Sequence, residues 1–373
     1  MSIAAAGPAD YGMMSSLIGD TASIKQKLDQ LTDQISSGLV SNTYAGLGAG
    51  AAVSLDLNPQ INNLQTWQNN INAATGAMQV TQTAMTQLQQ IASNYLAQTE
   101  NLEGSDASEI DSIAATAQQA LVQVADLLDT QVGSAYVFAG IDSANPPVPD
   151  PDAILSSGFY TQIATQVQAL GIQGANSTIN NIFAIGSSDV VGTSPFSTYL
   201  SQPAADLQAP TIEVGQGQTA TVGLLASANS PAITSQGILY TGVPTTPPPT
   251  TTGSYVRDVM QALATIGSMS SGQASDPNFD TLVQNTNATL TGAISAMAED
   301  AGVLGNTQTA LADSQTTMQD TATALTTQVG NVQDVDVAQA MSNLSLVQTQ
   351  LSASYQVIAG MSGLSLAKFL PAG

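Results

Sequence analysis

Residues 334–366 read DVDVAQAMSNLSLVQTQLSASYQVIAGMSGLSL. In this stretch Val337, Met341, Leu344, Leu351, Tyr355 and Ile358 recur at spacings of four and three, with Gln348 as the one polar interruption. That rhythm is the a/d seam of a coiled coil. Near the start of the chain Ile24, Leu28, Leu31 and Ile35 keep the same spacing. Neither seam is long enough to hold a helix alone, because isolated helices of this length are marginal in water. The economical reading pairs the two ends and loops out the middle. The expected fold is mainly α: a long antiparallel helical bundle or coiled coil built from both chain ends, with a strand-containing middle domain inserted. Shared apolar termini suit an assembly subunit better than an enzyme.

Composition narrows the chemistry. The 373 residues contain no Cys and no His, which removes disulfides, thiolate chemistry and His-based triads. Aromatics are 4 %, so the core rests on Ala, Leu, Val, Ile and Met. Lys25, Lys27, Arg257 and Lys368 face 27 acidic residues, for a formal charge of −23. Nucleic acid binding needs cations to neutralise phosphates and is not expected. Attachment to anionic membranes is disfavoured for the same reason. No window reaches the roughly 18 consecutive apolar residues of a membrane span. The first 14 residues, MSIAAAGPADYGMM, lack the basic and apolar regions of a secretory signal peptide and read as a mobile tail.

The pattern divides the chain into an N-terminal helical stem (1–140), a mixed outer domain (141–254) and a C-terminal helical stem (255–373). A first helix is expected over about 12–37, stopped by Gly38. SNTYAGLGAG at 41–50 follows as a flexible bend; with no Lys-Ser/Thr after it, it is no P-loop. Asn58-Pro59 marks a second helix start, with Leu64, Trp67, Ile71, Ala74, Met78, Met85, Leu88 and Tyr95 on one stripe. Glu103-Gly104-Ser105 breaks it. A third helix spans about 108–132, with Ile113, Ala117, Ala120, Leu121, Val124 and Leu128 inward. Tyr136–Gly140 reads as a short strand and Thr211–Val222 as a hairpin around Gly215-Gln-Gly217. Thr161–Leu170 reads as a short helix. NPPVPDPD (145–152) and VPTTPPPTTT (243–252) read as stiff linkers bracketing the insert. Helices resume at Ser254 and at Asp276-Pro277, and Gly330-Asn331 marks a break. Asp336 caps the last helix. A cation site at Asp334 and Asp336 is the weaker reading. Asp150 and Asp152 are expected to be solvated. Met13, Met14, Met78, Met85, Met341 and Met361 read as core filler, and Trp67 as a packing anchor.

These residues carry a resemblance to the bacterial flagellin family. LTDQISSG (31–38) is similar to the family's N-terminal Ser-Ser-Gly signature. The quoted C-terminal stretch resembles its partner signature: an Asp-x-Asp cap, Ala338, a Leu/Gln run, Ala-Ser-Tyr and a closing Ser-Leu. Gly302–Asn306 resembles the family's Gly-x-x-x-Asn segment. Tyr136–Val148, YVFAGIDSANPPV, looks like the segment typical of hook-filament junction members, the hook-associated protein 3 type. Basic residues usual in the family are replaced by Leu39, Val40, Leu304 and Thr307.

The resemblance implies a secreted structural subunit of the extracellular flagellum, with no catalytic residue, cofactor or metal. It implies export through the type III apparatus, a cytoplasmic export chaperone, and assembly with copies of itself, hook-associated proteins and flagellin. The expected assembly interface is Ile24, Leu28, Leu31, Ile35, Val337, Met341, Leu344, Leu351, Tyr355 and Ile358. A filament flagellin is the alternative; a secreted helical adhesin or translocator is a remote one. An enzyme built on Asp and Glu alone, as in glycoside hydrolysis, finds no convergent carboxylate motif in the middle.

Overall fold

Gly38 takes φ +73, a conformation that glycine adopts without a Cβ clash, and it ends helix α1 (Pro8–Ser37). The computed structural model describes residues 8–102, 107–229 and 237–367. The helix begins earlier than expected, so residues 8–14 belong to it and not to a tail. Proline is tolerated in a first turn, where its missing N–H has no intrahelical role. Residues 1–7 lie outside the described segments.

The chain divides into two compact units, Met1–Gln65 with Met318–Gly373, and Thr66–Thr317. The boundaries at 140/141 and 254/255 expected from composition do not coincide with this division. Helix α2 covers Gly50–Glu100 and contains Pro59, which the sequence reading placed at its start. A 3₁₀ turn (Tyr44–Leu47) precedes it. Helix α8 (Phe279–Gln333) runs through Gly330-Asn331 without the expected break. Helix α9 is Val337–Ala367.

In the second unit α2 buries the expected stripe, with Ile71, Ala74, Met78, Met85, Leu88 and Tyr95 all inside. Trp67 is half-buried. The α2 and α8 segments run antiparallel. Thr99 Oγ1 bonds Asn287 Oδ1, and Gln315 Nε2 donates to Asn72 Oδ1 at 2.8 Å. The expected break at 103–105 lies outside the described residues. Helix α3 (Ala107–Leu128) buries all six predicted positions. It stops short of Val132, because Gln131–Val132 (β1) pairs with Ala135–Tyr136 (β2) around Gly133.

The middle segment is not an independent attachment. Helix α7 (Tyr255–Gly267) is buried along its whole length, including Arg257, Asp258, Gln261 and Thr265. It packs on α3 and also on two helices of the insert, α4 (Gly158–Gln168) and α6 (Ala175–Gly186). A short turn of helix, α5 (Leu170–Gln173), lies between those two. Each fully buried Leu, Ile or Met side chain contributes about 1.5–3 kcal/mol, so α7 depends on both neighbours. The hairpin β3 (Thr211–Gly215) and β4 (Gln218–Thr221) forms where alternation predicts it, and Asn70 Nδ2 ties it to α2 through Glu213 O at 2.8 Å.

Both proline tracts are strapped down, which corrects their reading as linkers. Val148 is 1 % exposed, and its N–H donates to Asp129 Oδ1. In the second tract the Asn180 side chain bonds both N–H and C=O of Thr245, as a strand neighbour would. Asn285 Nδ2 donates to Pro249 O. Polyproline backbone leaves its carbonyls unpaired, and the flanking amide side chains use them.

Candidate assembly interface

The first unit is organised by α1 and α9, which run antiparallel. Their junction is closed by backbone. Val40 N–H donates to Gln333 O, Val335 N–H donates to Gly38 O, and Leu39 bridges Asp334. Gln34 Nε2 reaches forward to Val40 O at 2.8 Å. Asp336 caps α9 as expected, its Oδ1 accepting from Gln339 N–H at 3.0 Å. That role accounts for the residue without a cation.

Leu31, Ala340 and Val347 form the buried centre of the seam, with Ile24, Leu28, Ile35, Val335 and Leu344 packed around it. All four expected α1 positions therefore face α9. On α9 the register differs. Ala340, Leu344, Val347, Leu351, Ser354 and Ile358 are the less exposed positions, again alternating four and three. Met341 and Tyr355 lie one step around the helix and are exposed by 55 % and 53 %, while Val337, the first residue of α9 and one heptad before Leu344, is exposed by 38 %. The sequence reading merged two adjacent apolar lines into one. Alanine and serine carried the inner line, while the larger Met and Tyr drew attention to the outer one. Met341 is accordingly no core filler, whereas Met78 and Met85 are. The side chains of Met13, Met14 and Met361 lie outside the described ones.

The outer line is an unusual surface. Helix α9 contains no charged side chain in 31 residues. On the other flank of the helix Leu346 and Val357 are also exposed, at 59 % and 51 %. Large exposed apolar groups in this density mark an interaction surface more often than a solvated one. Around the rest of the chain, carboxylates without cations supply the repulsion that keeps copies apart. This helix has none to supply.

The second concentration of polar groups sits at the start of α7. Arg257 is buried and uses four of its five side-chain donors. Its Nε donates to Ser227 O, its Nη1 to Gly186 O and Ser188 O, and its Nη2 pairs with Asp189 Oδ1 at 2.7 Å. The guanidinium also lies over Phe196, 5.4 Å from the ring centre. Asp258 is fully buried beside it, accepting from Thr251 Oγ1 at 2.6 Å and from Thr252 N–H at 2.7 Å. These bonds fix the proline-rich segment to α7. Nothing in the sequence flagged them, because a lone arginine carries no spacing signal. Among the described residues no three acidic side chains converge as metal ligands do. No described helix is long and apolar enough to cross a membrane.

Burial pushes the Asp258 carboxyl up to about 7, against the opposing pull of its hydrogen bonds and Arg257. The folded chain thus holds a proton that the unfolded chain releases near pH 4. Stability contributed by this group is present at acidic pH and falls as pH rises through about 7. Asp129, pushed up to about 6 by burial, acts with the same sign at lower pH. Melting temperature should fall between pH 6 and pH 7 in the wild type. Asp258→Asn should flatten that interval. An equally steep fall in the variant would assign the titration elsewhere.

Comparison with known families matches residues 11–143 to the bacterial flagellin N-terminal helical region. Residues 288–370 match the bacterial flagellin C-terminal helical region. A search of curated proteins finds no match. The two matched regions contain all of α2, α3 and α9 and most of α1 and α8. The segment between them holds the insert and α7.

Proposed function

The chain belongs to the bacterial flagellin family, and from that premise we propose that it is an axial subunit that joins hook to filament. The family is one of structural, self-assembling flagellar proteins. The observation that carries an assembly role for this chain is the exposed apolar surface of α9, a helix without charge: Met341 and Tyr355 on one flank of the seam, Leu346 and Val357 on the other. A second subunit covering that surface would bury it without desolvating any ion. The ten residues expected at the interface then divide by role. Ile24, Leu28, Leu31, Ile35, Leu344, Leu351 and Ile358 hold the two terminal helices together. Val337, Met341 and Tyr355 meet the neighbour. Export through the type III apparatus, with a chaperone on the C-terminal segment, belongs to the same reading.

The junction role rests on Tyr136–Val148. Phe138 and Val148 of that segment are buried, and Gly140 takes φ +68 where a Cβ would meet Leu225 and the backbone of Gln208. The segment is thus a built corner of the fold. A filament role is the competing reading, and electron microscopy of a strain lacking this chain separates the two. Complete hooks with filament protein secreted but unattached are the expected result. Hooks with no filament protein made at all would assign the chain to the filament, and normal filaments would remove both roles.

A further inference from the structure

Gln261 lies on α7 with 3 % exposure, and its Oε1 has no donor among the described residues. A buried acceptor left in that condition costs about 1–3 kcal/mol. The oxygen sits hard against α6. A Cβ at Gly186 would come within 1.9 Å of it. Glycine at 186 is therefore what allows this side chain its place, and an alanine would displace it.

Gln261 lines a cavity between α6, α7 and α8, together with Phe183, Thr265, Asn285, Thr286 and Thr289. The cavity admits the centre of a water-sized sphere over about 10 Å³. That is room for about one water and for no larger ligand. Its lining chemistry is specific. Thr265, Thr286 and Thr289 each donate their hydroxyl proton to a backbone carbonyl one turn earlier on their own helices. Their oxygens keep lone pairs for another donor. Asn285 Nδ2 spends one proton on Pro249 O and has a second uncommitted among the described residues. The wall therefore offers a donor, several acceptors, and one acceptor that must be satisfied.

We propose that this cavity is a binding site for a single structural water, held between Gln261 and Asn285. The water donates one proton to Gln261 Oε1 and the other to a threonine oxygen, and accepts from Asn285 Nδ2. Three partners are the usual number for an internal water. The molecule cross-links α7 to α8 at the place where α6 of the insert closes over them. An apolar guest of the same size would leave Gln261 unpaired, so the site selects for a hydrogen-bonding occupant.

The proposal concerns stability and hydration, and it stands whether the chain acts at the junction or in the filament. A density map of the full chain, sharp enough to show ordered solvent, should contain a peak within hydrogen-bond distance of both Gln261 and Asn285. No peak there would overturn the proposal. Gln261→Met supplies the second reading, since it keeps the linear shape and removes the acceptor. With water bound, the variant loses an anchor and should melt several degrees lower than the wild type. A dry site predicts the opposite sign, because the variant would delete an unpaired oxygen. An unchanged or higher melting temperature would therefore also overturn it.

Discussion

Arg257→Met should destabilise the monomeric chain by about 3 kcal/mol, the low end for breaking a buried ion pair. Three backbone carbonyls, those of Gly186, Ser188 and Ser227, lose their donor together. Methionine fills much of the volume and keeps contact with Phe196, so the loss is polar and not a cavity effect. The low end applies because Asp189 is 38 % exposed and water can solvate its carboxylate once the partner is gone. Asp258 loses the nearby positive charge as well, which raises its proton affinity further. Arg257→Lys should recover little. An ammonium on a flexible stem cannot address Ser227 on one side and Asp189 on the other as a planar fork does. Urea unfolding of both variants measures this. A loss below about 1 kcal/mol for Arg257→Met would show that the cluster is peripheral.

The importance of that cluster explains why the insert was read as a separate body. Sequence periodicity reports which face of a helix is apolar. Helix α7 has a clear face of that kind, with Tyr255, Val256, Met260, Leu263 and Ile266 as expected, but it is buried all round. Its polar half is covered because Arg257 finds partners in chain segments remote in sequence and Gln261 lies against Gly186 of α6, and no local pattern encodes such neighbours. The proline tracts misled for a related reason. Proline excludes helix, as predicted, but it does not exclude packing, and the carbonyls of Thr245 and Pro249 are held by Asn180 and Asn285. Helix α6 went unread amid Ser, Thr and Asn, although Ile179, Ile182 and Phe183 stand at i, i+3 and i+4, one turn apart on one face.

The terminal pair was legible because its signals are local. Gly38 stops one helix, Asp336 caps the other, and the α1 seam at Ile24, Leu28, Leu31 and Ile35 is unambiguous. The α9 seam was read one step off, since its inner line uses Ala340 and Ser354, which are too small to register as apolar anchors. The outer line then stood out for its size. That slip separates two tasks, holding α9 on α1 and meeting a neighbour, and substitutions can test them apart.

Met341→Asp and Tyr355→Asp should abolish assembly while leaving the monomer folded. Both side chains are more than half exposed in the single chain, so a carboxylate at either site remains hydrated. Covered by a second subunit, the same carboxylate would be desolvated on a helix that carries no cation of its own, at a cost of several kcal/mol. The whole molecule carries a charge of −23, and α9 offers no Lys or Arg to compensate. Val347→Asp is the internal control. Val347 is 5 % exposed, so a charge there should separate α9 from α1 before assembly begins. The decisive measurement is polymer yield by sedimentation, set beside the helicity and melting temperature of the same monomer preparations. The account predicts wild-type monomer values and no sedimenting polymer for Met341→Asp and Tyr355→Asp. Polymers of normal yield and length from both variants would show that the outer line of α9 meets solvent in the assembly, and would contradict the account.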